Sequence, residues 1–140
     1  MNRFNRFFLF ALAGLFALSL ANCSSDGSAY TPPTTQGTLA IDNTFHRYTI
    51  KEAQWYEFSA TSGKPYRIAW DDSHEGSGTY TADVKVSANY ADGTSIFEDK
   101  DSGYNSPQFF TSASSGTIYV KIEPYYNKPR GTVGVKVSSP

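Results

Sequence analysis

Residues 55–71 read WYEFSATSGKPYRIAWD and contain two runs of strict alternation around a break. Tyr56, Phe58 and Ala60 alternate with Trp55, Glu57 and Ser59. Beyond Ser62-Gly63-Lys64-Pro65, Tyr66, Ile68 and Trp70 alternate with Arg67, Ala69 and Asp71. Successive side chains of a strand point to opposite faces, so each run presents one apolar face and one mostly polar face. The Gly and Pro of the break end one strand and begin the next. A strand that is apolar on one side only needs a second layer to cover it, and the simplest answer is a pair of packed sheets.

The same period recurs downstream. Val84, Val86, Ala88 and Tyr90 alternate with polar neighbours, as do Ile118, Val120 and Ile122, and then Val133, Val135 and Val137. Asp92-Gly93 between two strand-like runs is a hairpin signal. Ser114-Ser115-Gly116 and Lys128-Pro129-Arg130-Gly131 punctuate the later strands. Strands are predicted near 38–41, 45–51, 54–60, 65–71, 81–91, 94–98, 108–113, 117–124 and 131–138, with no amphipathic helix. The fold class is all-β: an antiparallel β-sandwich of about eight or nine strands, jelly-roll-like, with a small closed barrel as the competing architecture.

The chain has 140 residues and one cysteine, so it has no internal disulfide, and packing must supply its stability. Arg3 and Arg6 precede the apolar run FFLFALAGLFALSL, Phe7 to Leu20. That run falls short of the roughly 20 residues a membrane span needs and has the flanks of a secretory leader. Leu20-Ala21-Asn22-Cys23 resembles the bacterial lipobox, although Asn22 stands where Gly, Ala or Ser is usual. The resemblance implies cleavage of 1–22, a diacylglycerol and an acyl chain such as palmitate on Cys23, and a place in the cell envelope. Ser24 rather than Asp after the cysteine implies the outer membrane. Without the anchor, Cys23 would be a free thiol on a secreted protein. Residues 23–37, rich in Ser, Thr, Pro and Gly, read as a lipidated flexible tether, and 38–140 as the folded domain.

Without Arg3 and Arg6, a chain of 12 basic and 13 acidic residues becomes mildly acidic, and its bases are scattered. No basic stripe calls for nucleic acid as a partner.

Three segments together resemble the bacterial pre-peptidase C-terminal (PPC) domain. Trp55-Tyr56-Glu57-Phe58 followed by Gly63 is similar to its opening, and Ala82-Asp83-Val84-Lys85-Val86 to its central strand. Gly116-Thr117-Ile118-Tyr119-Val120-Lys121-Ile122, then Gly131-Thr132-Val133-Gly134-Val135-Lys136-Val137, are similar to its closing pair. The resemblance implies a jelly-roll-like accessory module, of the kind found beside secreted peptidases and related to collagen- and carbohydrate-binding sandwiches.

Candidate sites follow from residue chemistry. Only His46 and His74 could serve a hydrolytic triad, and no Gly-x-Ser-x-Gly elbow is present, so no catalytic residue is assigned and the chain is read as a non-enzyme. Two histidines and one cysteine are too few for zinc. No cofactor is assigned; for calcium, which prefers carboxylates and carbonyls at turns, the first candidates are Asp71, Asp72, Asp83 and Asp101, with Glu75 and Asp99 close in sequence. Asp83, at the start of a core strand, is expected to cap a loop by accepting backbone N–H groups. Tyr125 and Tyr126, with Tyr104, are the candidate ligand contacts, since loop tyrosines offer an apolar face and a polar tip. The expected function is a lipid-anchored envelope lipoprotein with a non-catalytic module that binds a protein, matrix or glycan ligand. The alternative is an accessory subunit of a separately encoded exported enzyme.

Overall fold

A computed structural model describes residues 29–125 and 130–140. Residues 1–22, read from the sequence as a leader, Cys23 and Tyr126 lie outside the described residues. Eight strands follow in order: β1 (His46–Ile50), β2 (Gln54–Ala60), β3 (Pro65–Asp71), β4 (Val84–Tyr90), β5 (Ser95–Lys100), β6 (Gln108–Thr111), β7 (Gly116–Pro124) and β8 (Gly131–Ser138). They form two four-stranded antiparallel sheets, ordered β1-β8-β3-β6 and β2-β7-β4-β5.

The order has a simple logic. β4 and β5 form a hairpin, and outward from it β3 pairs with β6, β2 with β7 and β1 with β8. That is one long two-stranded ribbon. Rolling it brings β8 against β3 and β7 against β4, which completes the sheets as a jelly roll. The hairpin is closed by Tyr90 and Thr94, whose N–H and C=O groups lie 2.8 Å apart, with Gly93 in the left-handed region at φ 87°.

The core lies where alternation puts it. Tyr56, Phe58 and Ala60 of β2, Val84, Val86 and Ala88 of β4 and Ile118, Val120 and Ile122 of β7 face Tyr66, Ile68 and Trp70 of β3 and Val133, Val135 and Val137 of β8. Aromatic pairs tie the layers together: Tyr48 to Tyr56 edge-on at 4.8 Å between ring centroids, and Phe58 to Tyr66 at 5.6 Å. Each such pair adds about 1 kcal/mol beyond its buried area.

Two predicted strands change. Residues 38–41 form no strand. Thr38 makes a single parallel bridge to Glu57 on one sheet, and Ile41 one to Val137 on the other. The segment crosses between layers and stays with neither, with Leu39 buried and Ile41 exposed. Its start still covers an edge: Gln36 N–H donates to the Trp55 carbonyl at 2.7 Å and Glu57 N–H to the Gly37 carbonyl at 3.1 Å, along the open side of β2. The run 81–91 becomes a strand only at Val84, because the Thr81 and Ala82 N–H groups both donate to the Thr132 carbonyl at 3.0 Å.

Candidate functional site

The two outer faces of the sandwich differ in how they treat their cations. On sheet β2-β7-β4-β5, Lys85 Nζ lies 2.6 Å from Glu123 and 3.3 Å from Asp99, and Lys121 also pairs with Glu123. Those charges neutralise one another beside Trp55, Ser87 and Asn89, which line a polar cleft.

The outer face of β1-β8-β3-β6 is built otherwise. Cross-strand register places Arg47 beside Gly134, Lys136 beside Ala69, and Arg67 between Phe109 and Ser138. Each of these three cations meets an aromatic ring. Arg47 lies 4.9 Å from the Tyr80 ring centroid, Arg67 5.5 Å from that of Phe109 and Lys136 4.6 Å from that of Phe45. All are within the range in which a ring face attracts a cation. Among the described residues none of the three has a carboxylate within ion-pair distance. Asp71 has the same strand parity but is buried, and its Oδ1 accepts the Ser77 N–H at 3.1 Å. Gly134 is what lets the Tyr80 ring approach the sheet so closely, since a Cβ there would fall 2.5 Å from the ring.

Tyr104 joins this array. Its ring stacks on Phe45 at 6.0 Å with 20° between the planes. One carboxylate holds the Tyr104 loop in place: Glu75 accepts from Ser102 Oγ at 2.8 Å, Tyr104 N–H at 2.9 Å and both the backbone and side-chain N–H of Asn105. Partial burial pushes the Glu75 carboxyl up, but those donors more than offset it and hold the group below its usual range. A depressed folded value means the contact is fully present above the ordinary pKa of 4.5 and is lost as pH falls through the lower folded value. The Tyr104 and Asn105 amide resonances are therefore expected to titrate together with a midpoint under 4.5. Glu75→Gln is expected to abolish that titration, and a midpoint above 4.5 would contradict the clamp.

Tyr125 belongs elsewhere. It follows β7, is half-buried, and its N–H donates to the Asp83 carbonyl at 2.8 Å. Tyr126 lies outside the described residues. The structure thus brings Tyr104, but not Tyr125, to the cation–aromatic face.

The acidic residues are corrected in two respects. The loop cap is Asp72, not Asp83. Asp72 Oδ1 accepts the His74 and Glu75 N–H groups at 2.9 and 3.0 Å, and Oδ2 accepts the Val84 N–H at 3.2 Å. Asp83 Oδ1 is buried with no hydrogen-bond partner. Among the described residues no group of three or more His, Cys, Asp or Glu side chains is placed to hold a metal ion. Asp71, Asp72, Asp83 and Asp101 therefore do not assemble the calcium site that the sequence suggested; Asp71 and Asp72 serve as acceptors for turn amides. His46 Nε2 lies 2.8 Å from Asp42 Oδ2 on the surface, while His74 is exposed in the loop after β3.

The sequence reading missed Arg47, Arg67, Lys136, Phe45 and Phe109 as a set. Alternation alone put Arg67 and Lys136 on solvent faces. Only the pairing of β1, β8, β3 and β6 places them on the same one.

No family model matches the chain, and no curated protein matches it. Among solved structures it is similar to the pre-peptidase C-terminal domain of a collagenase from Bacillus anthracis. The identity is 15%, over 77% of this chain and 100% of that one, with a TM-score of 0.51. It is also similar to two periplasmic inhibitors of g-type lysozyme called PliG. The one from Aeromonas hydrophila has 9% identity over 73% of this chain and 96% of that one, with a TM-score of 0.45. The one from Salmonella Typhimurium has 13% identity over 75% and 100%, with a TM-score of 0.44. The likeness to the collagenase domain is one of fold.

Proposed function

We propose that this chain is an exported lipoprotein of the bacterial cell envelope, held by lipid on Cys23 and tethered through 23–37. Its β-sandwich is a non-catalytic module that binds a protein, matrix or glycan ligand. The lipobox-like Leu20-Ala21-Asn22-Cys23 supports the anchor, with the outer membrane as its address. One observation carries the binding reading: three cations on one sheet face are held against aromatic rings and lack carboxylate partners among the described residues, while Lys85 and Lys121 of the opposite face are neutralised. Cations fixed over flat apolar surface make a face suited to an anionic or polar partner. Tyr104, on its clamped loop, extends that face.

Two measurements test the reading. The intact mass of protein from its native membrane is expected to show a chain starting at Cys23 with a diacylglycerol and an acyl chain added, and Cys23→Ala is expected to lack them. An unmodified chain free in the medium would overturn the anchor. Retention of the mature protein on purified envelope is expected to fall about tenfold or more in Arg47→Ala/Lys136→Ala, as loss of two charged contacts implies. Equal retention would remove the face as the contact surface. If the face captured an exported enzyme, the module would be that enzyme's accessory subunit.

A further inference from the structure

At one corner of the cation–aromatic face the surface becomes concave. A pocket of about 260 Å³ opens where β6, β3 and the end of β8 meet, lined by Asn43, Arg67, Phe109, Ser138, Ser139 and Pro140. Its floor is fixed by sheet register, with Arg67 directly between Phe109 and Ser138. Phe109 is 67% exposed although it sits within a strand. Arg67 Nε is buried and donates to nothing, and its guanidinium has no hydrogen-bond or ion-pair partner among the described residues. That Nε lies out of a ligand's reach, but a guanidinium is a planar fork whose two terminal N–H groups fit a carboxylate through two parallel hydrogen bonds, and those of Arg67 are unpartnered among the described residues.

We propose that this pocket is a subsite for a carboxylate-bearing sugar residue of an acidic glycan. The inference rests on the binding-module reading and names its ligand class. Arg67 takes the carboxylate. The exposed ring of Phe109 takes the C–H face of the pyranose, as flat aromatic surfaces do for amphipathic partners. The Asn43 amide and the Ser138 hydroxyl meet ring hydroxyls, while the Ser139 hydroxyl is already committed to the Pro65 carbonyl at 3.0 Å. The volume lies just below the roughly 300–1,000 Å³ of pockets for drug-sized ligands, which suits one sugar unit. Arg67 is the pocket's one cationic side chain, which matches the single negative charge of a carboxylate. β6 ends its sheet, so a longer glycan has open space beyond Phe109.

The test is an NMR titration of the lipid-anchored protein in detergent micelles with methyl β-D-glucuronide. Its uncharged amide, methyl β-D-glucoside and inorganic phosphate serve as comparison probes. The glucuronide is expected to shift the Phe109 and Ser138 amides with a dissociation constant in the millimolar range. Arg67→Met and Phe109→Ala are each expected to weaken it about tenfold, with Arg67→Lys close to Arg67→Met because the bidentate fork is lost. Phe109→Ala replaces an exposed side chain, so it keeps the test valid should Arg67→Met misfold. Equal binding of the amide, or tighter binding of phosphate, would overturn the assignment. So would silence toward the glucuronide alongside Arg67-dependent binding to phosphatidylglycerol vesicles, which would make the corner a lipid contact. If the glucuronide fails while Arg47→Ala/Lys136→Ala still releases the protein from envelope, this inference falls and the binding module stands.

Discussion

Alanine at Asp72 is expected to cost about 3 kcal/mol of folding stability, because buried amides left without an acceptor cost roughly 1–3 kcal/mol each. Asp72 is 1% exposed and serves three donors, the N–H groups of His74, Glu75 and Val84. The Val84 bond is buried and fixes the start of β4, so its loss carries the full penalty. The two loop amides can recover part of theirs from water. Against these losses stands one gain. Burial pushes the Asp72 carboxyl above its usual value of 3.8, more than the three amides pull it down, and the neighbouring Asp83 charge adds to the rise. A raised folded value in an acid means that the folded state holds its proton longer than the unfolded chain does. The contribution of Asp72 is then fully present below its ordinary value of 3.8 and is lost as pH rises through the folded value. Asp72→Asn keeps one acceptor oxygen and has no such dependence, so its deficit against the parent is expected to be smaller at pH 7 than at pH 4.5. Other carboxylates titrate in both chains and cancel in the difference. Guanidinium unfolding followed by tryptophan fluorescence at the two pH values measures both effects. An alanine variant within 1 kcal/mol of the parent would mean that water replaces the carboxylate.

Asp72 also shows what was legible in the sequence. The alternation that turns Trp70 inward and Asp71 outward is local, and local patterns placed nearly every core residue of β2, β3, β4, β7 and β8. The bond from Asp72 to Val84 spans twelve positions and joins the end of one sheet to the start of the other. Nothing in the neighbourhood of Asp83 distinguishes it from a cap, so the role was read one strand too late. The segment 38–41 failed for the opposite reason. Its alternation is genuine, but Leu39 and Ile41 serve different layers, and alternation does not say which strand lies alongside. The cation–aromatic face sits at that same boundary. The parity of Arg67 and Lys136 could be read from the chain, whereas their adjacency to Arg47 is a product of the jelly-roll order. The pocket at Arg67 required the most: a guanidinium unpartnered among the described residues and an exposed ring in register across β3 and β6 have no signature along the chain.

Gly103 carries the second large effect, and nothing in the alternation around it marks it in the sequence. It is buried, and a Cβ there would lie 2.0 Å from Cδ2, 2.2 Å from Cε2 and 2.4 Å from Cε3 of Trp70. No real Cβ tolerates such distances, so one partner must move. Trp70 is 0% exposed and packed within the sheet interface, and the 102–105 loop is tied to Glu75 by the Tyr104 and Asn105 backbone N–H groups and the Ser102 and Asn105 side chains. Gly103→Ala is therefore expected to lose about 3 kcal/mol, the upper end of what overpacking a close-packed core costs. The backbone at Gly103 is not in the left-handed region, so the loss is steric, and a smaller side chain at position 70 should relieve it. Trp70→Leu alone is expected to cost about 3 kcal/mol as a large-to-small core change. In the double variant the two costs should fall short of their sum by at least 1 kcal/mol, the coupling expected of residues in direct contact. Gly63 supplies the comparison: at φ 76° with nothing within 4 Å of a Cβ, its change to alanine is expected to cost only about 1 kcal/mol, the conformational penalty alone. Because the Gly103 loop also presents Tyr104 to the cation–aromatic face, Gly103→Ala should weaken envelope retention even under conditions where the sandwich stays folded. Thermal unfolding and retention measured on the same preparation separate the two effects. Additive costs in the double variant would mean that the loop, rather than Trp70, yields to the added methyl group.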